Sequence, residues 1–158
     1  AAYCKYLEAP DYTLDQTLTK QSMDAFQEYI EKYPNSERVA EANKLMDELR
    51  ENLIEKDYQN AFNYYKTMQY HAACVSFKRF LNDYPDVSQK RENAMYYIVL
   101  AGYKYANNSV EDKLKERFEE VILDYERYSV VFANMKDEKK RQELENIYNE
   151  SKIKYNGL

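Results

Sequence analysis

Glycine and proline are nearly missing from this chain, which has two of the first and three of the second in 158 residues. Tight turns between strands draw on both, so their scarcity excludes a sheet protein built from short hairpins. Tryptophan is absent and His71 is the only histidine. One imidazole cannot make a His-pair metal site, and His71 reads as a helix-end residue rather than a base. There is no glycine-rich phosphate loop and no nucleophile motif. Cys4 and Cys74 are too far apart for a metal or redox motif and read as two buried free thiols. Ala1, Ala2 and Tyr3 do not form an apolar segment ending at a small residue, so Cys4 is not read as a lipid-attachment site. The pattern begins midway, as it would in a fragment or a processed product. No apolar run approaches the ~20 residues a membrane-spanning helix needs. A basic excess is lacking too: the net charge of -5 argues against nucleic acid as partner. The locally basic run 136–141 contains Asp137 and Glu138 and reads as a solvated helix face.

What remains is a chain 44% hydrophobic and 32% charged, with 18 tyrosines, the composition of amphipathic helices. The expected fold is all-α. Met23, Phe26, Ile30 and Tyr33 recur at helical spacing, predicting a helix over 17–33 that Pro34 stops, because a residue before proline is pushed out of the α region. Ser36 is the expected N-cap of the next helix. No glycine or proline interrupts 36–68, which predicts one helix of about 32 residues, roughly 48 Å long, with a break near 55–57 as the alternative. A helix over 71–84 should end at Pro85. Ser88 is the expected cap of a following helix that is apolar on more than one face. Asn107, Asn108 and Ser109 mark the next break, with asparagine suited to a left-handed position and Ser109 to an N-cap. Two more helices follow, the last over about 137–155 with a charged outer face suited to an end-cap.

A block recurs along these helices. Phe26, Ile30, Tyr33 and Pro34 return as Phe77, Leu81, Tyr84 and Pro85, and again, without proline, as Phe118, Ile122 and Tyr125. Against the tetratricopeptide pattern, Ala61 takes the small position and Tyr64 the aromatic one, while Ala73, Phe77 and Pro85 supply the second helix. The pattern's tryptophan and leucine fall on Asp57 and Asn60. The expectation is a single tetratricopeptide-type α-solenoid domain of antiparallel hairpins with one long central helix. Its units are 1–34, 36–85 and 88–128, with a capping helix at 137–155. Such stacks bind other molecules more often than they catalyse.

The stretch 55–68 carries two apolar stripes, Ala61, Tyr64 and Met68 on one side and Tyr58, Phe62 and Tyr65 on the other. One reading makes Tyr58, Phe62 and Tyr65, with Met95 and Ile98, a groove for a peptide, rimmed by Lys66 and Arg91. The other packs the same stripe against neighbouring helices. Asp15 or Thr17 either caps the following helix or belongs to a docking loop with Gln16. Glu41, Asp47, Glu48 and Glu51 recur with Lys44 and Arg50 as solubilising pairs.

The segment Ala2-Tyr3-Cys4-Lys5-Tyr6-Leu7-Glu8, the loop Leu14-Asp15-Gln16-Thr17, the Tyr-Pro closures at 33–34 and 84–85, and Tyr105-Ala106-Asn107-Asn108-Ser109 carry a resemblance. They resemble BamD-type lipoproteins of the bacterial outer-membrane β-barrel assembly machinery, most of all the version in Bacteroides-type bacteria, over residues 1–128. The resemblance implies a non-catalytic periplasmic scaffold, without cofactor, on the inner leaflet of the outer membrane. Its anchor would be a lipidated cysteine upstream of this chain. The implied partners are the periplasmic domains of the barrel-forming subunit and unfolded outer-membrane proteins. Alternatives are another periplasmic tetratricopeptide adaptor of the cell envelope, of the division or Tol-Pal type, and a hydrolase with paired carboxylates in its groove.

Overall fold

The computed structural model describes residues 2–158, except for the side chains of Ser88 and Gln89. Ala1, the first residue of the expected first unit, lies outside the described residues. Seven helices and no strand occur among the described residues: α1 (Ala2–Leu7), α2 (Thr17–Lys32), α3 (Val39–Lys66), α4 (Tyr70–Asp83), α5 (Ser88–Asn107), α6 (Glu111–Ala133) and α7 (Glu138–Gly157). The fold class is all-α, consistent with a tetratricopeptide-like α-solenoid.

The prolines act as the sequence indicates. Tyr33 and Tyr84, each preceding a proline, leave the helical region in the same way, at φ -131, ψ 58 and φ -127, ψ 71. The long helix is real and unbroken through 55–57, at 28 residues. The expected caps need correction. α3 begins at Val39, and Ser36 instead organises the turn before it, its Oγ accepting from the Arg38 N–H and pairing with the Tyr29 hydroxyl. Val87, not Ser88, occupies the N-cap position of α5, and Val110, not Ser109, that of α6. Ser109 serves the preceding helix end, where its hydroxyl donates to the Tyr105 carbonyl and accepts from Arg117. Asn108 ends α5 with φ -92, so neither asparagine there takes the left-handed conformation. That conformation falls on Met68, at φ 60. The Gln69 N–H reaches the Tyr64 carbonyl and the Met68 N–H that of Tyr65, the paired bonds of a Schellman helix end.

Contacts divide the chain into two units, Ala1–Asp57 and Tyr58–Leu158, with the boundary inside α3. In the first, Phe26, Ala42 and Leu49 form a small core on which Tyr6, Met23, Ile30 and Leu45 pack. In the second, successive helices pack antiparallel. His71 stacks on Tyr105 while Phe77 stacks on Tyr97, so position rises along α4 as it falls along α5. α7 then lies beside α5 in the same direction, and four side-chain bonds hold the pair at a constant offset of 47 residues. The recurring phenylalanines Phe26, Phe77 and Phe118 are all buried, as are Ala61 and Ala73. Burying one such ring contributes about 1.5–3 kcal/mol. Tyr64 does not fill the aromatic position assigned to it: it is 40% exposed. Tyr58 takes the inward role, edge-on to both Phe77 and Phe80.

Candidate binding surface

Three helices of the second unit, the end of α3 with α5 and α7, run side by side. Their meeting line is aromatic. Phe62 and Tyr65 stack on one another and both lean on Tyr97, whose neighbour Tyr96 donates to Glu143 across the α5–α7 boundary at 2.5 Å. Burial pushes the Tyr65 phenol up to about 12, helped by Tyr70, Tyr97 and Glu143 nearby. Burial also raises Tyr96, and so does its bond to Glu143, because ionising the donor would place two anions together. Tyr97 is raised by burial first and by Glu143 second. These phenols stay neutral donors at any physiological pH. Lysines lie over the rings: Lys66 over Phe62, Lys90 over Tyr58 and Lys140 over Tyr96, at 5.1, 6.0 and 5.1 Å.

Of the residues singled out in the sequence, Phe62 and Tyr65 are brought together here and remain half-buried, with Lys66 exposed beside them. Tyr58 turns into the α4 core. Ile98 is wholly enclosed and Met95 nearly so, and neither presents a side chain to solvent as a groove residue would. Arg91 is spent on helix ends: its guanidinium donates to the carbonyls of Leu81 and Tyr84, closing the last turn of α4. The second stripe is therefore largely the packing surface between helices.

Sequence reading missed the partners on α7. Asn93 accepts from Lys140, Tyr96 donates to Glu143, Tyr103 to Glu150, and Asn107 accepts from Lys154. The signal was present. The four α5 positions and the four α7 positions have identical spacing, which is what a parallel helix pair in fixed register requires.

In the first unit the loop before α2 is a built structure. Gln16 is buried, its amide donating to the Asp11 and Leu14 carbonyls while its oxygen accepts from the Thr19 hydroxyl. Lys56 of α3 donates to the Thr13 and Leu14 carbonyls. Asp15 accepts from the Thr17 N–H at 3.0 Å just before α2, whose N-cap position is taken by Gln16 without a side-chain cap bond, and this bond with Thr17 holds the Asp15 carboxyl below the usual range, aided by Lys56 and Lys20. Leu14 is left 60% exposed at the loop tip.

Neither cysteine is bonded to the other; Cys4 is exposed, contrary to expectation, while burial pushes the Cys74 thiol up to about 12. His71 is exposed and stacked on Tyr105. No group of three or more acidic, histidine or cysteine side chains suited to a metal ion occurs among the described residues.

No curated protein matches the chain. The profile of the YfiO family, described as outer membrane lipoprotein, matches residues 2–118, from the first helix into α6. That span holds the Gln16 loop, both Tyr-Pro closures and the Phe62–Tyr65–Tyr97 cluster, and on it the chain belongs to the YfiO family of outer membrane lipoproteins.

Proposed function

We propose that this chain is a non-catalytic periplasmic scaffold of the β-barrel assembly machinery, held on the outer membrane by a lipid anchor. It binds the barrel-forming subunit and unfolded outer-membrane proteins. The observation that carries this reading is the family match over residues 2–118. No helix of the described residues is long and apolar enough to cross a membrane, and a lipid anchor needs none.

Two surfaces supply the contacts, one in each unit. In the second unit, Phe62, Tyr65 and Lys66 offer half-buried rings and a cation, the amphipathic chemistry that dominates protein interfaces. In the first, the loop of Asp15 and Gln16 holds Leu14 outward on a hydrogen-bonded frame, so little entropy is lost when a partner closes on it. The test is co-purification of the intact chain with the barrel-forming subunit from native membranes, repeated with Tyr65→Ala, Lys66→Ala and Leu14→Ala. Each variant should retain its helical content. An anchor residue should cost at least ~2 kcal/mol of binding. Absence of the barrel-forming subunit from the purified material refutes the function, and unchanged affinity of folded variants refutes these surfaces.

A further inference from the structure

The first unit contains a cleft that the functional reading above does not use. Its floor is Phe26 of α2 and Ala42 of α3, with Tyr3, Tyr29 and Leu45 around it and a volume of about 430 Å³, within the range of small-molecule sites. Arg38 and Glu41 line the same cleft, both solvent-exposed. Neither side chain has a hydrogen bond or ion pair among the described residues, although the two are three positions apart and of opposite sign. The cleft therefore combines an apolar floor, two phenol rings, one cation and one anion.

We infer that this cleft binds a single zwitterionic phospholipid with an ethanolamine headgroup. The phosphate pairs with Arg38, the ammonium with Glu41, and an acyl chain lies along Phe26, Ala42 and Leu45. Charge complementarity selects this class. A peptide terminus brings one charge and leaves either Arg38 or Glu41 unmatched at the edge of an apolar site, and an anionic lipid leaves Glu41 facing a phosphate. Guanidinium matches phosphate in a forked geometry, and the ammonium also gains from the faces of Tyr3 or Tyr29. Membership in an outer membrane lipoprotein family associates the chain with a membrane, which raises the effective concentration of such a ligand.

The experiment uses the purified chain and dihexanoyl phosphatidylethanolamine below its micelle concentration, followed by amide and methyl NMR shifts. Saturable one-to-one binding is expected, with the largest shifts at Tyr3, Tyr29 and Leu45. Dihexanoyl phosphatidylglycerol and free phosphoethanolamine should each bind at least tenfold more weakly. Arg38→Ala and Glu41→Ala should each weaken phosphatidylethanolamine at least tenfold. Their melting temperatures should stay unchanged, since both side chains are exposed and unpaired. The inference is overturned by equal binding of phosphatidylglycerol, by equal binding of the free headgroup, or by either variant binding normally. Tighter capture of a peptide ending in an aromatic residue, or no saturable binding, overturns it as well. Assembly-partner binding is read separately, so failure here leaves the scaffold reading standing.

Discussion

At the scale of single residues, Met68 stands out as a non-glycine residue at positive φ. A side chain with a β-carbon at φ 60 crowds its own carbonyl, at about 1–2 kcal/mol, in a position where helix ends usually carry glycine. Its side chain is 73% exposed, so packing returns little. Met68→Gly should therefore stabilise the protein by about 1 kcal/mol, read as a higher denaturation midpoint with unchanged slope. An unchanged or lower midpoint would mean that the thioether makes a contact that offsets the strain. Tyr65 gives a second prediction, in pH. An unfolded tyrosine ionises near 10, whereas Tyr65 in the fold is pushed up to about 12. The folded state then holds a proton that the unfolded state releases, so the contribution of Tyr65 is intact below about pH 10 and is lost as pH rises toward about 12. Phenolate absorbance should show a late-titrating class, and Tyr65→Phe should flatten the alkaline fall in stability.

At the scale of the element, register is what the side chains fix. The constant offset of 47 between α5 and α7 is marked by four polar bonds. Removing one bond should thus be felt by its partner. In a double-mutant cycle, Tyr96→Phe and Glu143→Gln should show a coupling of roughly 1 kcal/mol, since Tyr96 is buried while Glu143 is solvent-accessible and partly screened. Additive effects would show the two side chains to be independent. This pairing also marks the limit of what the chain declares on its own. Helix ends were legible at Pro34 and Pro85, because a pre-proline residue is sterically barred from the helix whatever surrounds it. The caps expected at Ser36, Ser88 and Ser109 were misplaced by one or two positions; at Ser36 and Ser109 a hydroxyl has several nearby carbonyls and amides to choose from, and the partners Tyr29 and Arg117 decide among them. The proposed groove was only partly legible for a related reason. A helix with two apolar stripes does not reveal which one faces its neighbours; half-buried Tyr58 packs on α4 rings and Ile98 is buried, while Tyr64, placed in the opposite stripe, is exposed.

At the scale of the molecule, the contact boundary at Asp57 and Tyr58 is unusual in falling inside a helix rather than at a loop. A helix carries its own hydrogen bonds across such a point, so continuity of α3 does not require the side chains on either side of it to share one core. Within the second unit, α4 packs on α5, α5 on α6 and α7, and α6 on α7, and Phe77, Phe80, Ile98, Phe132, Met135 and Leu144 are buried. A fragment of residues 58–158 should accordingly fold by itself and melt in one cooperative transition, as its size permits. Deleting α7 from that fragment should abolish the transition. It strips Leu144 and Ile147 from the core and leaves Tyr96 without Glu143, a buried phenol with no partner. Circular dichroism melts of the two fragments decide the matter. Cooperative unfolding of the first with loss in the second fits a core closed by α7. A disordered 58–158 fragment would show instead that the first fifty-odd residues complete it, making the boundary inside α3 a feature of contact density without energetic meaning.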